Sequence, residues 1–257
     1  MPLLSTRGGG SARGFGLQGA AFDGIVANGG TITEQGNYYL HTFTGSDNFV
    51  INKTSNKYPT YDWFIIGAGS GGAGGQTHQH PGSGGAAGYI ERATGVTANT
   101  GTYPVVIGSG GAGANAQQVG GGAGNSSTIF GNTAQPGNAV GATARVGGSN
   151  DQYNGGTSNN RQTAGGGAGA GQSGSAQIGG NGYPDSIDGT NNVHGGGGGG
   201  ADPPSQPNSG GSGGGGNFGY GPRPATQSRG SGGGGGFING GGTGSDGVCF
   251  IKYQVKG

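Results

Sequence analysis

Gly67-Ala68-Gly69-Ser70-Gly71-Gly72 satisfies G-x-G-x-x-G directly after the apolar run Asp62–Ile66. Glu91 lies about 20 residues further on, where a dinucleotide-binding turn carries its ribose-binding acid. That chemistry needs a helix after the glycines, because its first N–H groups hold the pyrophosphate. The next residues are instead Ala73-Gly74-Gly75-Gln76-Thr77-His78-Gln79-His80-Pro81, poor helix formers ending in a proline. No cofactor is therefore expected. Gly210-Gly211-Ser212-Gly213-Gly214 spells G-x-S-x-G, but a nucleophile elbow needs a strand before it and a helix after it, and glycines lie on both sides. His78 and His80 could share a metal ion, and three such pairs on a threefold axis would make an octahedral site. The simpler reading is an exposed polar turn, and no metal site is assigned. The 10 carboxylates are scattered without an acid–base couple. The one cysteine, Cys249, excludes a disulfide within the chain. An enzyme is not expected.

Recognition is better served than catalysis. Tyr and Arg are enriched at binding hot spots, and Tyr with Ser, Gly and Asn makes up antibody-like loops. These types concentrate in polar interruptions of the glycine-rich region: Gln76–Pro81, Asn150–Thr163, Tyr183–His194, Asp202–Ser209 and Asn217–Arg229. The candidates for contact with a sugar or a protein are His78, His80, Tyr153, Asn159, Arg161, Tyr183, Asp185, Phe218, Tyr220 and Arg223. The competing reading makes the aromatics among them caps that shield the ends of packed segments from water.

Glycine must position these residues. The chain has 74 glycines in 257 residues, with unbroken runs at Gly195–Gly200, Gly213–Gly216 and Gly232–Gly236. Ordering each backbone residue costs about 1–2 kcal/mol, and glycine has no side chain to offset that by burial. The runs are then either flexible linkers or segments whose missing side chain is the packing feature. Extended rods with three residues per turn and no internal hydrogen bonds can bond backbone to backbone when no Cβ holds them apart. Recurring runs with short, varied interruptions favour the packed rods. On that reading Gly195–Gly200 is a central rod, and Gly67–Gly75 an outer one with Ala68, Ser70 and Ala73 facing out. Collagen is excluded, because glycine keeps no strict three-residue period and proline numbers only 11.

The remaining pattern is β. Tyr38–Thr44 and Asp47–Ile51, separated by Gly45-Ser46, read as a hairpin. Asp62–Ile66 reads as a strand buried on both faces. Further strands are expected at Ala87–Ala93, Thr102–Ile107 and Ser127–Phe130, and Val248–Val255 alternates most clearly. The expected fold is all-β with essentially no α-helix: a β-sandwich-like scaffold with a bundle of packed polyglycine II helices and connecting loops. Residues 1–24 form a docking arm, 25–66 the β-rich scaffold, 67–241 the glycine-rich region with interspersed strands, and 242–257 the closing strand.

Net charge is +1, without the basic stripe that nucleic-acid binding needs, and no run approaches the ~20 apolar residues of a membrane span. Neither a nucleic-acid partner nor membrane insertion is expected. No secretory leader is visible, so synthesis in a cytoplasm is expected. The segments Gly36–Thr44, Tyr61–Gly67, Gly85–Glu91, Gly101–Gly108 and Gly247–Tyr253 resemble glycine-rich domains of bacteriophage tail and fibre proteins. The rod-and-loop region is similar in part to the polyglycine II fibre-tip adhesins of T-even-like phages. That resemblance implies a virion protein of the tail or tail fibre, made in the host cytoplasm, that recognises a polysaccharide or outer-membrane protein on the host through loops at the rod ends. Residues 1–24 would join it to another tail or fibre protein, and a homotrimer would supply the threefold tip. The alternative is a structural head, tail or fibre component without a receptor role.

Overall fold

The computed structural model describes residues 23–76, 81–117, 119–141, 145–158, 163–201, 208–219, 223–226, 229–237 and 240–257. The protein is all-β, and no helix occurs among the described residues. Its strands are β1 (Val26–Asn28), β2 (Thr31–Gln35), β3 (Tyr38–Phe43), β4 (Asp47–Lys53), β5 (Thr60–Ile66), β6 (Ile90–Thr97), β7 (Gly101–Val105), β8 (Ser127–Ile129), β9 (Asn132–Ala134), β10 (Tyr183–Asp185), β11 (Asn192–His194) and β12 (Val248–Gln254). A five-stranded antiparallel sheet runs β2-β3-β12-β5-β6 and a three-stranded one β1-β4-β7, with hairpins β8-β9 and β10-β11 beside them. The last strand lies at the centre of the larger sheet, Phe250 opposite Thr42 on one side and Phe64 on the other.

Alternation along β12 explains that place. Cys249, Ile251 and Tyr253 face the smaller sheet, in a core with Phe43, Phe49, Ile51, Trp63 and Ile65. Val248 and Phe250 face the other way, onto Leu40, Phe64, Ile66, Ala87 and Ala170. The larger sheet is thus buried on both faces, as the unbroken apolar run of β5 requires. Each buried aromatic or branched side chain contributes roughly 1.5–3 kcal/mol. Within the first core His41 is fully buried and satisfied, with Nδ1 2.7 Å from the Gly29 carbonyl and Nε2 2.9 Å from the Tyr253 hydroxyl.

The expected β3–β4 hairpin is not there. β3 pairs with β12 and β2, whereas β4 pairs with β1 and β7. Gly45-Ser46 carries the chain from one sheet to the other. Phe43 and Phe49 then meet edge to face across the core at 6.4 Å, which a hairpin within one sheet would have prevented. The strand expected at Ala87–Ala93 begins only at Ile90, because residues 82–88 belong to the glycine lattice.

That lattice shows a repeat of three. Gly67, Ser70 and Ala73 donate their N–H groups to Tyr89, Ala86 and Ser83; Ala68, Gly71 and Gly74 donate to Asn125, Gly122 and Val119; Gly69 and Gly72 donate to Ser245 and Gly242. Every third residue returns to the same neighbour, as in an extended rod with three residues per turn. Gly195–Gly200 is a central rod. Gly196 and Gly199 donate to Gly213 and Gly216, Gly197 and Gly200 to Gly180 and Gln177, and Gly198 and Ala201 to Gly85 and Gly82. Its carbonyls accept from the segments at 164–170, 232–235 and 208–211. Residues 194–201 are all buried. A methyl group added at any of Gly196–Gly200 would lie under 3.0 Å from a neighbour's carbonyl oxygen, so the absent side chain is what lets the rods close.

Gly67–Gly75 is not the outer rod expected. Ala68, Ser70 and Ala73 are 0%, 0% and 1% exposed, and the segment's carbonyls accept from residues 111, 114, 137, 233 and 236. A Cβ is excluded only where it points at a neighbouring carbonyl, and at these positions it does not. Ser70 even contributes, since its Oγ accepts the Ala86 N–H at 2.8 Å. The true outer rods carry burial at every third residue: Gly108, Gly111 and Ala114, then Gly121, Gly124 and Ser127, then Ala134, Gly137 and Val140.

Candidate functional site

The rods run between two ends. At one, Gly67, Gly88, Ala170, Gly195 and Gly230 meet the sandwich, and Gly88 and Ala170 donate to Gly230 and Gly195. At the other, Gly82 donates to Gly236, Ala201 to Gly82, Ala164 to Ala201, and Phe237 to Gly219. Gly74, Gly165 and Gly200 join that layer through bonds to Val119, Arg145 and Gln177. The described residues that bracket 77–80, 118, 142–144, 159–162, 202–207, 220–222 and 238–239 therefore all lie at this far end, the tip. Its apolar floor is Phe218, Phe237, Ala164 and Ala201, with the two rings perpendicular at 6.2 Å.

The sequence candidates among the described residues do not come together. Phe218 is corrected: it is 8% exposed and belongs to the floor, so its ring caps the rods and offers nothing to a partner. Arg223 is exposed at the tip, its side chain lying across Gly219 while its carbonyl accepts the Gly234 N–H at 3.0 Å. Tyr153 is half-buried at the sandwich end, in a turn where Asn150 Oδ1 accepts the N–H groups of Gln152 and Tyr153. Asn150 Nδ2 anchors that turn to the carbonyls of Ala87 and Gly169. Tyr183 and Asp185 also sit at the sandwich, on β10. His78, His80, Asn159, Arg161 and Tyr220 lie outside the described residues.

Around β10 the fold builds a small polar cleft of about 370 Å³, with Phe64, Asp62, Lys252 and Tyr38 from the sheet facing Ser186 and Ile187. Arg92 of β6 pairs with Asp185 at 3.0 Å and stacks over the Tyr183 ring at 5.0 Å. Lys252 lies over Tyr38 at 5.1 Å. Sequence reading missed Arg92 because its partner is 93 residues away. Two other letter patterns are spent in the lattice. The N–H groups of Gly67–Gly72 are bonded to neighbouring rods and so cannot cradle a pyrophosphate, and Ser212 Oγ donates to Asn181 Oδ1 at 3.0 Å. No group of three or more His, Cys, Asp or Glu converges among the described residues.

Every described carboxylate lies on the sandwich or at the rod ends that meet it: Asp246, for example, accepts the Gly110 N–H on its carboxylate and the Gly230 N–H on its backbone carbonyl, and Asp151 neighbours Tyr89 and Glu91. The charged residues described at the tip are Arg145 and Arg223, both exposed.

These features define a class: an all-β protein in which a two-sheet scaffold holds a lattice of threefold backbone rods. The chain belongs to the glycine-rich domain family, which it matches over residues 44–254. The match begins just after β3 and runs to the end of β12, so the family unit includes strands β4–β12 as well as the rods. No curated protein matches the chain.

Proposed function

We propose that the protein is a bacteriophage virion component of the tail or tail fibre, and that it binds the host surface through the tip. The observation that carries this reading is the gathering of the described rod ends into one layer above a hydrogen-bonded lattice. Such a platform lowers the cost of ordering its own turns on binding. The resemblance of the strand motifs to phage tail and fibre proteins supports the same reading. On this reading the threefold rods are polyglycine II helices, residues 1–24 tether the chain to another tail or fibre protein, and assembly is as a homotrimer.

Binding of the labelled protein to a panel of bacterial cells tests the reading, alongside a variant with residues 220–222 replaced by Gly-Ser-Gly, which keeps Phe218 of the floor and the bonded Arg223 carbonyl. Selective binding by the wild type, lost in the variant, is expected. A well-folded wild type that binds no cells would leave the structural role as the better account.

A further inference from the structure

The two sheets part along one side of the sandwich, where β5 and β6 face β7, β8 and β9 across a cleft of about 570 Å³. That volume is in the range that small-molecule ligands occupy. Its wall is an aromatic cluster around Phe130, whose ring centroid lies 5.0 Å from Tyr103, 5.1 Å from Tyr61 and 6.1 Å from Trp63. Phe130 stands in the turn between β8 and β9 at φ +50°, followed by Gly131 at φ +76°. Two left-handed residues in succession make the turn that Asn-Gly suits, and a bulky ring is an outlier there. Part of that ring stays exposed, so the strained turn holds an aromatic face at a surface that water reaches. Strain of this kind gathers at ligand clamps. Beside it Tyr61 is 6% exposed, and its hydroxyl has no hydrogen-bond partner among the described residues. Burial, with the neighbouring Tyr103, pushes the pKa of that hydroxyl up to about 12, so it keeps its proton and can donate. Thr97, Thr128, Thr133 and Asn99 add side-chain hydroxyl and amide groups that are likewise unpaired among the described residues. No acidic or basic side chain among the described residues lines the cleft.

We propose that this cleft binds a neutral saccharide, with the C–H face of a sugar ring against the aromatic cluster and its hydroxyl groups on Tyr61, the threonines and Asn99. The lining selects that class by elimination. An ionic ligand would shed its hydration with no opposite charge to meet it. A wholly apolar ligand would suit the rings but leave the Tyr61 hydroxyl desolvated and unpaired, which is costly. A sugar ring joins an apolar face to a rim of hydroxyls that both donate and accept, and so answers rings and polar groups together. The site lies on the sandwich, away from the tip, and stands apart from the tip-binding reading.

The test titrates the full chain by NMR with the methyl glycosides of glucose, galactose, mannose and N-acetylglucosamine, and with hexanol as a wholly apolar probe. At least one glycoside should bind and shift the signals of Tyr61 and Tyr103. Tyr61→Phe with Thr133→Val removes two hydroxyls and no ring, and should weaken that binding about tenfold or more while the melting temperature stays near wild type. Phe130→Asn puts a residue that suits the turn in place of the ring, and should lose binding while the protein stays folded. The variant altered at 220–222 should bind the glycoside as the wild type does. A chain that binds none of the four glycosides overturns the proposal, and so does one that takes up hexanol alone. Binding undiminished in the Tyr61→Phe, Thr133→Val protein, or lost in the 220–222 variant, places the sugar elsewhere and overturns it too. Absence of glycoside binding leaves the cell-binding test of the tip untouched.

Discussion

His194 is the residue whose environment makes the sharpest prediction. Its ring is fully buried between Phe64 and Phe250, with centroids at 5.1 and 5.5 Å, and neither ring nitrogen has a hydrogen-bond partner. Asp188 Oδ2 is 3.9 Å away. Burial holds the imidazole pKa below the ordinary 6.5, and the charge of Arg229 adds to that, against the opposing pull of Asp188 and Asp185. Burial shifts His41 in the same direction. An unfolded histidine takes up its proton near pH 6.5 and these folded ones only at lower pH, so the unfolded state binds more protons between the two values. Stability is therefore highest above pH 6.5, falls as pH drops through it, and levels off below the folded pKa. The melting temperature should be lower at pH 5 than at pH 7.5, and His194→Phe should reduce that difference. The same substitution removes an unmet polar group worth on the order of 1–3 kcal/mol, so it should raise stability at pH 7.5. An unchanged pH dependence in His194→Phe would assign the effect elsewhere. None of this was legible in the sequence, where His194 is a lone imidazole before a glycine run. Its slot is made by β5 and β12, distant in the chain.

At the scale of elements, the strands that could be read were those whose pattern is strong by itself. β12 alternates and β5 is continuously apolar, and each sits where its pattern requires. β10 and β11, three residues each, exist because they pair with one another over the apolar sheet face, and no local propensity announces them. The β3–β4 turn misleads for a related reason, since Gly-Ser chemistry suits a reversal within one sheet and a crossing between two equally well. The rods were legible as rods, but the inward Ala68, Ser70 and Ala73 were not, because burial there depends on how many neighbours surround the segment. Two substitutions separate packed rod from linker. Gly198→Ala drives a methyl into the Gly233 carbonyl, and overpacking of that kind should cost about 1–3 kcal/mol. Gly45→Ala meets nothing within 4 Å and should be nearly neutral. Equal melting of the two variants would refute the lattice.

For the whole molecule, stability resides in backbone bonds between residues far apart in sequence: the central rod 195–201 touches segments from residue 82 to residue 235. Local opening of one rod strips several others, so the amides of 195–201 and 230–236 should exchange with solvent only on global unfolding. Fast exchange there, at the rate of a free glycine linker, would contradict the fold. Such long-range closure also predicts slow refolding for a protein of this length. The three-residue repeat has a further consequence for how the chain tolerates change in length. Inserting one residue in a rod turns everything beyond it by a third of a revolution, aiming alanine methyls at carbonyls and glycines at open space. Inserting three restores the phase and moves the tip outward by one turn, provided the neighbouring rods lengthen in step. The lattice thus keeps a reading frame of its own, in which triplets of residues are silent and single residues are frameshifts.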